Sequence, residues 1–516
     1  MALLRPTTSL DGYAGLTAYA GDLHNHCGIS YGHGTIEDAY RNAQLQLDFA
    51  TVTGHANWHD MPEDPAHVAD YHRQGFARLR DGWEHVQDVT EAAHEDGRFV
   101  SFLSFEWHSM TYGDHCVYYR AGRGPLEPAS SGSLEVLRQS LRDLAGQGLP
   151  GMVLPHHIGY LKGFRGINWA TYTEELSPVI ELVSMHGNGE DDHAPRQYLH
   201  TMGPRDVGSM AYAGLSAGHR FGFIGSTDHH SAHPGSYGYG RAMVWADELT
   251  REGIWSAIRA RRTYCVTGDR IMLAVSLDGA PMGSDVVADG VRRFDIAVRG
   301  GSSIDYVELV RNGQVVARTR PAPGAATAGG FHGVVSLGFG WGEVGVDTAW
   351  DVEIEVDGGR IDAVEPRLHG YDVVAPSAAE PEHYAFSSWQ QLDERHVTLN
   401  TRTNGNPNVM TDATQRIALH LTGDDRTTVR ARINGREVVH TVGELLAGPR
   451  VGFLGGFISG GYVFERAEPS SALDLEWAVE DEGTDAAEDW YYVRVRQHNE
   501  QYAWSSPIWA RRGESR

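Results

Sequence analysis

Six short apolar segments in the first half of the chain are each followed directly by histidine, glutamate or aspartate. The first segment runs into GDLHNHCGISYGHG, residues 21–34, which contains His24, His26 and His33. His24 and His26 are two residues apart, so both side chains point to one face of an extended strand. Two imidazoles on one face at a strand end can bind one metal ion or a pair of ions.

The five later segments repeat this arrangement. In chain order they end in TVTGH, FLSFE, VLPHH, ELVSMH and GSTDHH, which supply His55, Glu106, His156, His157, His186, Asp228 and His230. The carboxyl ends of parallel strands in α/β folds converge on one face of the sheet or barrel. We therefore expect these side chains to meet in one basin.

The segments alternate with amphipathic patterns that predict helices. The predicted helices cover residues 36–46, 67–96, 133–147 and 250–262. Thr35 is a suitable N-cap for the first helix, because its hydroxyl can accept a hydrogen bond from a free backbone N–H. Buried apolar strands that alternate with helices are typical of parallel β-structure in an α/β layer or barrel.

The pattern changes after about residue 270. From there, apolar and polar residues alternate and Asn-Gly or Asp-Gly pairs mark turns, as in antiparallel hairpins. We therefore predict an α/β domain over residues 1–270 and a β-rich region over residues 271–516. A predicted linker at 375–383 divides the second region into sandwich-like subdomains of about 271–375 and 384–516.

Composition excludes several classes of protein. The formal net charge is −25, and without a Lys/Arg cluster this argues against nucleic-acid binding. No run reaches the roughly 20 apolar residues of a membrane helix, and the apolar start is too short for a signal-peptide core. Cys27, Cys116 and Cys265 are isolated, which argues against disulfides and a structural zinc knuckle. We predict a cytoplasmic protein without a membrane partner, and a homo-oligomer is compatible with the sequence.

The ligand types narrow the choice of metal. Imidazole and carboxylate without thiolate favour Mn, Fe or Zn over Ca or Mg. The predicted ligands outnumber the four that a zinc ion uses, so two or three divalent ions are expected. Glutamate and aspartate can bridge ions, and such a cluster can activate water and bind an anionic substrate.

The motifs also identify a family. DLHNH, TVTGH, FEWH, PHH, SMHGN and STDHH, in this order, resemble those of the PHP (polymerase and histidinol phosphatase) superfamily. The resemblance is greatest to its large uncharacterised branch, known by a domain-of-unknown-function label. Segments similar to residues 246–271 and 491–510 follow the last motif and end the chain in that branch. The resemblance implies a distorted (β/α)7 barrel, followed by an antiparallel, β-sandwich-like C-terminal region, with up to three metals.

The resemblance also implies roles for single residues. The metal ligands it implies are the HxH pair His24 and His26, then His55, the bridging Glu106, either His156 or His157, His186, and the closing Asp228 and His230. A further histidine is expected near Gly32, and His33 is one residue away from that position. We expect Asp228, His55 and Glu106 to be catalytic.

Other polar residues near the motifs are candidates for contacts with substrate or ligands. His108 and Asp114 follow Glu106 and are within reach of the site, and the predicted substrate-binding residues are His115, Lys162, Arg165 and Arg241. For Lys162 and Arg165, the alternative is a solvated loop position. Glu190 and Asp192 are candidates to orient the metal-binding histidines.

Three functions are compatible with these sequence features. The first is a metal-dependent hydrolase, in particular a phosphoesterase acting on a small-molecule or sugar-type anionic substrate. The second is a hydrolase of an amide, lactone, sulfate ester or glycoside, for which the β region would select the substrate. The third is a binding or scaffold protein whose metal cluster is structural.

Overall fold

The computed structural model describes residues 3–198, 202–322, 330–371, 384–405 and 413–513. Over these ranges the chain is a mixed α/β structure with many antiparallel sheets. None of the helices in these ranges combines the length and the apolarity that crossing a lipid bilayer requires. The predicted linker at 375–383 lies outside the described residues.

The N-terminal half alternates strands and helices. Its strands are β1 (Thr17–Asp22), β2 (Phe49–Ala50), β3 (Gly54–Trp58), β4 (Val100–Ser101), β5 (Leu103–His108), β6 (His115–Tyr119), β7 (Gly151–Pro155), β8 (Val179–Ser184), β9 (Gly187–Asn188), β10 (Gly222–Gly225), β11 (Arg241–Ala246) and β12 (Thr263–Val266). Its helices are α1 (Ile36–Gln46), α2 (Ala66–Asp81), α3 (Trp83–Ala93), α4 (Leu134–Gly146), α5 (Ala211–Ser216) and α6 (Arg251–Arg259). Short 3-10 turns cover Glu127–Ser130, Trp169–Thr171 and Val207–Ser209.

The predicted helices are confirmed, with one difference. Thr35 caps α1, and its side chain accepts a hydrogen bond from the backbone N–H of Asp38. The single helix predicted over 67–96 is wrong, because the chain forms α2 and α3 with Gly82 between them. Glycine has a low helix propensity, and Gly82, with φ −95° and ψ 5°, lies outside helical geometry between α2 and α3.

Parallel pairing is present in the N-terminal half, but the strands do not form one closed ring. The pairs β1–β2, β2–β4, β3–β5 and β8–β10 are parallel. Strand β6 was not predicted, and it pairs antiparallel with both β5 and β7. Within the described residues the strands belong to three separate sheets, so the seven-stranded barrel stays a prediction.

The C-terminal half is built almost entirely from strands. They are β13 (Met272–Leu277), β14 (Ala280–Pro281), β15 (Asp285–Val287), β16 (Arg292–Arg299), β17 (Ile304–Arg311), β18 (Gln314–Thr319), β19 (Phe331–Trp341), β20 (Thr348–Asp357), β21 (Arg360–Arg367), β22 (Ser388–Gln391), β23 (His396–Thr403), β24 (Gln415–Gly423), β25 (Thr428–Ile433), β26 (Arg436–Thr441), β27 (Arg450–Phe453), β28 (Gly460–Phe464), β29 (Glu468–Pro469), β30 (Asp474–Asp481), β31 (Glu488–Gln497), β32 (Tyr502–Ser505) and β33 (Ile508–Arg511). Helices α7 (Val442–Ala447) and α8 (Ser470–Leu473) are short.

Strand pairing crosses both predicted boundaries. Strand β12 pairs with β32, so one 11-stranded sheet contains strands from before and after residue 270. Strand β16 pairs with β30, and β20 pairs with β23 and β25. Each of these pairs joins a strand before the predicted division at 375–384 to a strand after it. The strands from β19 to β28 share a separate apolar core that includes Trp350, Leu399 and Leu419. In chain order, the strands that share this core lie between β18 and β30, which belong to two other sheets.

Candidate metal centre

The structure brings nearly all of the predicted ligands together at one end of the N-terminal strands. His24 and His26 follow β1, His55 lies in β3, and Glu106 lies near the end of β5. The ligands from His156 to Asp228 follow β7, β8 and β10. All of the predicted ligands are buried except His230, which is half-buried.

The Asp228 carboxylate joins two sides of this cluster. Its Oδ1 atom lies 3.0 Å from Nε2 of His26 and 3.2 Å from Nε2 of His24. Its Oδ2 atom lies 2.5 Å from Nε2 of His186. Asp228 adopts a positive φ of 53°, and its N–H donates to the His24 carbonyl at 2.7 Å. Such a backbone conformation is costly for a residue with a side chain, so the surrounding structure must hold it in place.

The Glu106 carboxylate joins the other side. Its Oε2 atom lies 2.6 Å from Nδ1 of His55 and 3.5 Å from Nε2 of His26. Its Oε1 atom lies 2.9 Å from Nε2 of His156 and 3.2 Å from Nδ1 of His108. Each carboxylate therefore faces different histidines with its two oxygens, as a group that bridges two ions does.

His230 closes the cluster from the solvent side. Its ring lies 4.3 Å from the ring of His26 and 5.4 Å from that of His55, measured between centroids. One possible ligand atom from each of these three histidines lies within 4.8 Å of the others. Tyr31 covers the far face of His55, and the two rings stack at 3.5 Å.

The donor set and its spacing fit divalent metal ions. Nε2 of His24 and Nε2 of His26 lie 3.1 Å apart and both face Asp228 Oδ1. Ligand atoms that share one ion with bonds of about 2.1 Å are separated by about 3.0–3.4 Å. Among the described residues, the buried Oε2 of Glu106 has no hydrogen-bond donor in suitable geometry. A buried charged oxygen without a donor is costly, and a cation would satisfy it.

The surroundings shift the pKa values of the carboxylates and histidines of the cluster in different directions. Burial alone would raise the pKa values of Glu106 and Asp228, but neighbouring histidines hold both well below the usual range. Burial lowers the pKa of His55 well below its usual value and that of His230 to about 3. Burial would also lower the pKa of His24, yet the nearby carboxylate of Asp228 raises it well above normal. The carboxylates are therefore ionised, and their field attracts a cation to this point.

Several histidines of the cluster are held by a second group on the other ring nitrogen. Nδ1 of His24 lies 2.7 Å from Glu181 Oε2, and Nδ1 of His186 lies 2.5 Å from the Tyr160 hydroxyl. Such partners fix the tautomer and orientation of a metal-binding imidazole. The sequence analysis did not predict either contact, because Glu181 lies inside an apolar strand and Tyr160 lies in the loop after the VLPHH motif.

Two further partners of this kind come from unexpected places. Nδ1 of His156 lies 3.4 Å from Sγ of Cys116, a cysteine that was predicted to be isolated. The hydroxyl of Tyr384, which belongs to the C-terminal half, lies 2.7 Å from Nδ1 of His33. His33 is thus held at the junction with the β region, and its backbone N–H donates to the His230 carbonyl at 2.8 Å.

The two adjacent histidines of the fourth motif face different carboxylates. Nε2 of His156 approaches Glu106, whereas Nε2 of His157 lies 3.4 Å from Asp114 Oδ2. Asp114 also accepts a hydrogen bond from Nε of Arg165 at 2.6 Å. The geometry therefore favours His156 over His157 as the partner of Glu106.

Among the predicted substrate-binding residues, Arg165 is the one that lies beside the cluster. Its guanidinium lies 4.8 Å above the ring of Trp58, and its Nη2 is 3.0 Å from Nδ1 of His108. Its side chain is 13% exposed, so it is within reach of both solvent and the cluster. Lys162, three residues earlier, is exposed on the same loop.

Two of the predicted substrate-binding residues lie elsewhere. Arg241 is fully buried in the core, where its guanidinium donates to the Gly235 carbonyl at 2.7 Å and to Gln46 Oε1 at 2.8 Å. His115 is buried at the start of β6, and its Nδ1 donates to the Gly113 carbonyl at 2.9 Å. Both positions begin buried strands, so their side chains are used in packing and lack the exposure that substrate binding needs. Asp192 is exposed and pairs with Arg205 at the surface.

The comparisons with known proteins give partial matches. Residues 235–285 match a family described as "Protein of unknown function (DUF3604)". Uncharacterized proteins of Chlamydia pneumoniae and Chlamydia trachomatis are 26% identical over 167 residues and 25% identical over 173 residues. These matches cover 29% and 30% of this chain but only 27% and 28% of the relatives, so the chain matches about a quarter of their length.

One solved structure is also similar. It is a two-domain protein of Bacteroides vulgatus that contains a predicted PHP-like metal-dependent phosphoesterase. The alignment has a TM-score of 0.33 and 13% sequence identity, and it covers 86% of this chain and 99% of the other.

Proposed function

We propose that this chain is a metal-dependent hydrolase of the PHP type, with two or three Mn, Fe or Zn ions, and that its substrates are phosphoesters. The observation that carries the proposal is one group of side chains, all of them buried except His230, whose nitrogen and oxygen atoms face one another: His24, His26, His55, Glu106, His156, His186, Asp228 and His230. Under this proposal the N-terminal strands correspond to the distorted (β/α)7 barrel of that superfamily. The β region then serves as its C-terminal support.

The arrangement of the carboxylates favours more than one ion. Asp228 and Glu106 each direct their two oxygens toward separate histidines, and His26 lies between them, within 3.5 Å of both. When bound, divalent ions of this kind supply Lewis-acid activation of water and of a substrate oxygen. The carboxylates of the cluster supply negative charge for the ions, and neighbouring side chains orient the imidazoles. Bulk water is kept away because every proposed ligand except His230 is buried.

The position of Arg165 favours an anionic substrate. Its planar guanidinium is held beside the cluster by Asp114 and Trp58, and it retains exposure to solvent. A guanidinium in this position can pair with two oxygens of a phosphate group. We propose that it contacts the substrate, which is a small anionic molecule.

The experiment that tests the function has two parts. Elemental analysis of protein purified without added metal should find two or three equivalents of Mn, Fe or Zn per chain. A hydrolysis screen should then detect turnover of phosphomonoesters or phosphodiesters beside carboxylic esters, sulfates and glycosides. A chain without metal would refute the proposal, and turnover confined to substrates without phosphorus would refute the phosphoesterase part.

Variants separate catalysis from folding. Asp228→Asn and His55→Ala should each lower turnover by at least about 100-fold, because each removes a contact at the centre of the cluster. The far-ultraviolet circular dichroism spectrum should be unchanged. Glu468→Gln is a matched control, since that carboxylate hydrogen-bonds Ser302 and Ser303 within the β region. Full activity in the Asp228 variant would show that the cluster is not catalytic.

A further inference from the structure

Glu190 is a buried carboxylate that joins the N-terminal half to the last strands of the chain. It is 2% exposed, and its Oε1 accepts hydrogen bonds from the Tyr492 hydroxyl at 2.5 Å and from Nη1 of Arg494 at 3.0 Å. Its Oε2 accepts from the indole N–H of Trp504 at 2.7 Å. The three donors lie on β31 and β32, about 300 residues further along the chain.

Glu190 stands four residues after His186, at the end of the hairpin that carries this histidine. Strands β8 and β9 pair through Ser184 and Gly187, so Met185 and His186 form the turn between them. The returning arm is fixed by the Gly189 N–H, which donates to the Leu182 carbonyl at 2.8 Å. The arm then ends at Glu190, so anchoring Glu190 restricts where the turn can lie.

The hairpin has little freedom to shift on its own. Gly187 has a φ of 120°, and a Cβ atom there would lie 2.4 Å from the Gln197 carbonyl oxygen. The side chain of Asn188 accepts a hydrogen bond from the Glu190 N–H at 2.9 Å, which ties the arm to the carboxylate. The position of His186 relative to Asp228 therefore depends on a chain of short contacts that ends in β31 and β32.

We propose that Glu190 is a positioning residue for the metal centre, and that it holds the His186 hairpin against the C-terminal strands. The inference rests on the proposed function, since it concerns the same cluster. Under this inference, side chains of the β region determine the position of one histidine of the cluster, His186. The competing explanation is that Glu190 only stabilises the junction between the two halves.

The chain offers a matched control for that explanation. Glu308 lies on β17, is fully buried, and accepts a hydrogen bond from Nε of Arg494 at 2.7 Å. Glu190 and Glu308 thus share one arginine, but only Glu190 is attached to the hairpin. Glu190→Gln and Glu308→Gln remove the same charge from the same arginine.

The test is equilibrium dialysis of wild type, Glu190→Gln and Glu308→Gln against Zn²⁺, with the cobalt-loaded proteins compared by visible absorption. We expect Glu190→Gln to bind one ion about 10- to 100-fold more weakly and to change the cobalt spectrum, as loss of an orienting partner does. Glu308→Gln should match the wild type in both measurements, even if its melting temperature falls. Equal ion binding and equal spectra for all three proteins would overturn the proposal.

Two further outcomes are separated by the same experiment. A wild-type chain that binds no metal refutes the proposed function itself, whereas metal-loaded wild type with an unaffected Glu190 variant refutes only this inference. If Glu190→Gln fails to fold, Tyr492→Phe removes a single donor to the same carboxylate and leaves the charge in place. We expect this variant to bind the same ion more weakly than the wild type does and to show the same spectral change, both to a smaller degree than Glu190→Gln. A normal metal titration of Tyr492→Phe would then overturn the inference.

Discussion

Replacing Glu181 by glutamine should weaken metal binding without disrupting the fold. Glu181 lies on β8 and is 3% exposed. Its Oε2 accepts a hydrogen bond from Nδ1 of His24 at 2.7 Å, and its Oε1 accepts one from the His157 N–H at 3.1 Å. Both contacts need an acceptor, and the carboxylate supplies two.

Glutamine supplies only one acceptor at this position. If its oxygen faces the His157 N–H, its NH₂ group faces Nδ1 of His24 and forces the ring proton onto Nε2. Nε2 is the atom that lies 3.2 Å from Asp228, so the proton would occupy the direction in which a metal ion binds. If the amide is turned round, its NH₂ group faces the backbone N–H of His157. Both groups are donors, so a buried donor is left without an acceptor.

The expected loss of metal affinity is 10- to 100-fold, which corresponds to about 1.4–2.7 kcal/mol. The assay is equilibrium dialysis with Zn²⁺ or Mn²⁺ and elemental analysis of the bound ion, with thermal unfolding of the metal-free proteins alongside. Glu468→Gln, which makes the same change within the β region, should bind metal normally. An affinity within twofold of wild type, with unchanged stability of the metal-free protein, would refute this account of Glu181.

Three other perturbations give distinct results. Tyr384→Phe removes the hydroxyl that contacts His33, so metal titration should show one ion bound more weakly while circular dichroism stays unchanged. Removing metal with a chelator should lower the melting temperature, and metal at 100 times its Kd should restore about 2.7 kcal/mol of unfolding free energy. Although burial alone would raise it, hydrogen bonds led by those from Thr484 lower the pKa of Asp489 to about 2. The stabilising effect of the Asp489 carboxylate is thus present above about pH 4 and is lost as the pH falls through about 2. After allowance for solvent screening, Asp489→Asn should lower the free energy of unfolding in urea by about 1 kcal/mol at pH 7 and by clearly less at pH 3.

Each of these has its own control. Tyr371→Phe removes a hydroxyl that, among the described residues, donates to Asp347 at 3.3 Å, so a loss of metal in this variant would point to a packing effect at the junction. A melting temperature that is insensitive to chelator would exclude a cluster that contributes to folding. An Asp489 variant whose deficit is the same at pH 7 and pH 3 would show that its ionisation does not stabilise the fold.

The sequence was sufficient to predict that the central side chains of the candidate cluster lie together. His55, Glu106 and Asp228 each follow or lie in an apolar strand, and the common direction of parallel strands brings such positions together. Glu181 could not be found in this way, because all six residues of β8 are buried and no alternation marks the side that faces the cluster. Its contact with the cluster becomes visible only when the fold brings β8 to His24, which follows β1.

The contacts from the C-terminal half could not be predicted for a different reason. Tyr384 and Glu190 act on partners 351 and 302 residues away, His33 and Tyr492, and no local pattern records such a contact. The β6 hairpin was missed because its apolar run follows the Glu106 motif directly and resembles a loop extension. Arg241 was assigned to the site from its glycine-rich neighbours, whereas the fold uses it as a buried link to Gln46.

The sheet that crosses residue 270 has a consequence for the order in which the protein folds. Thr263 at the start of β12 hydrogen-bonds Ser506, which leaves the ribosome 243 residues later. Until then β12 is paired with β11 on one edge only, and exposed strand edges favour aggregation. Pairings between such distant segments also slow folding, since a long loop must close first. We therefore expect the sheet that contains β12 to be completed only after β32 has been translated.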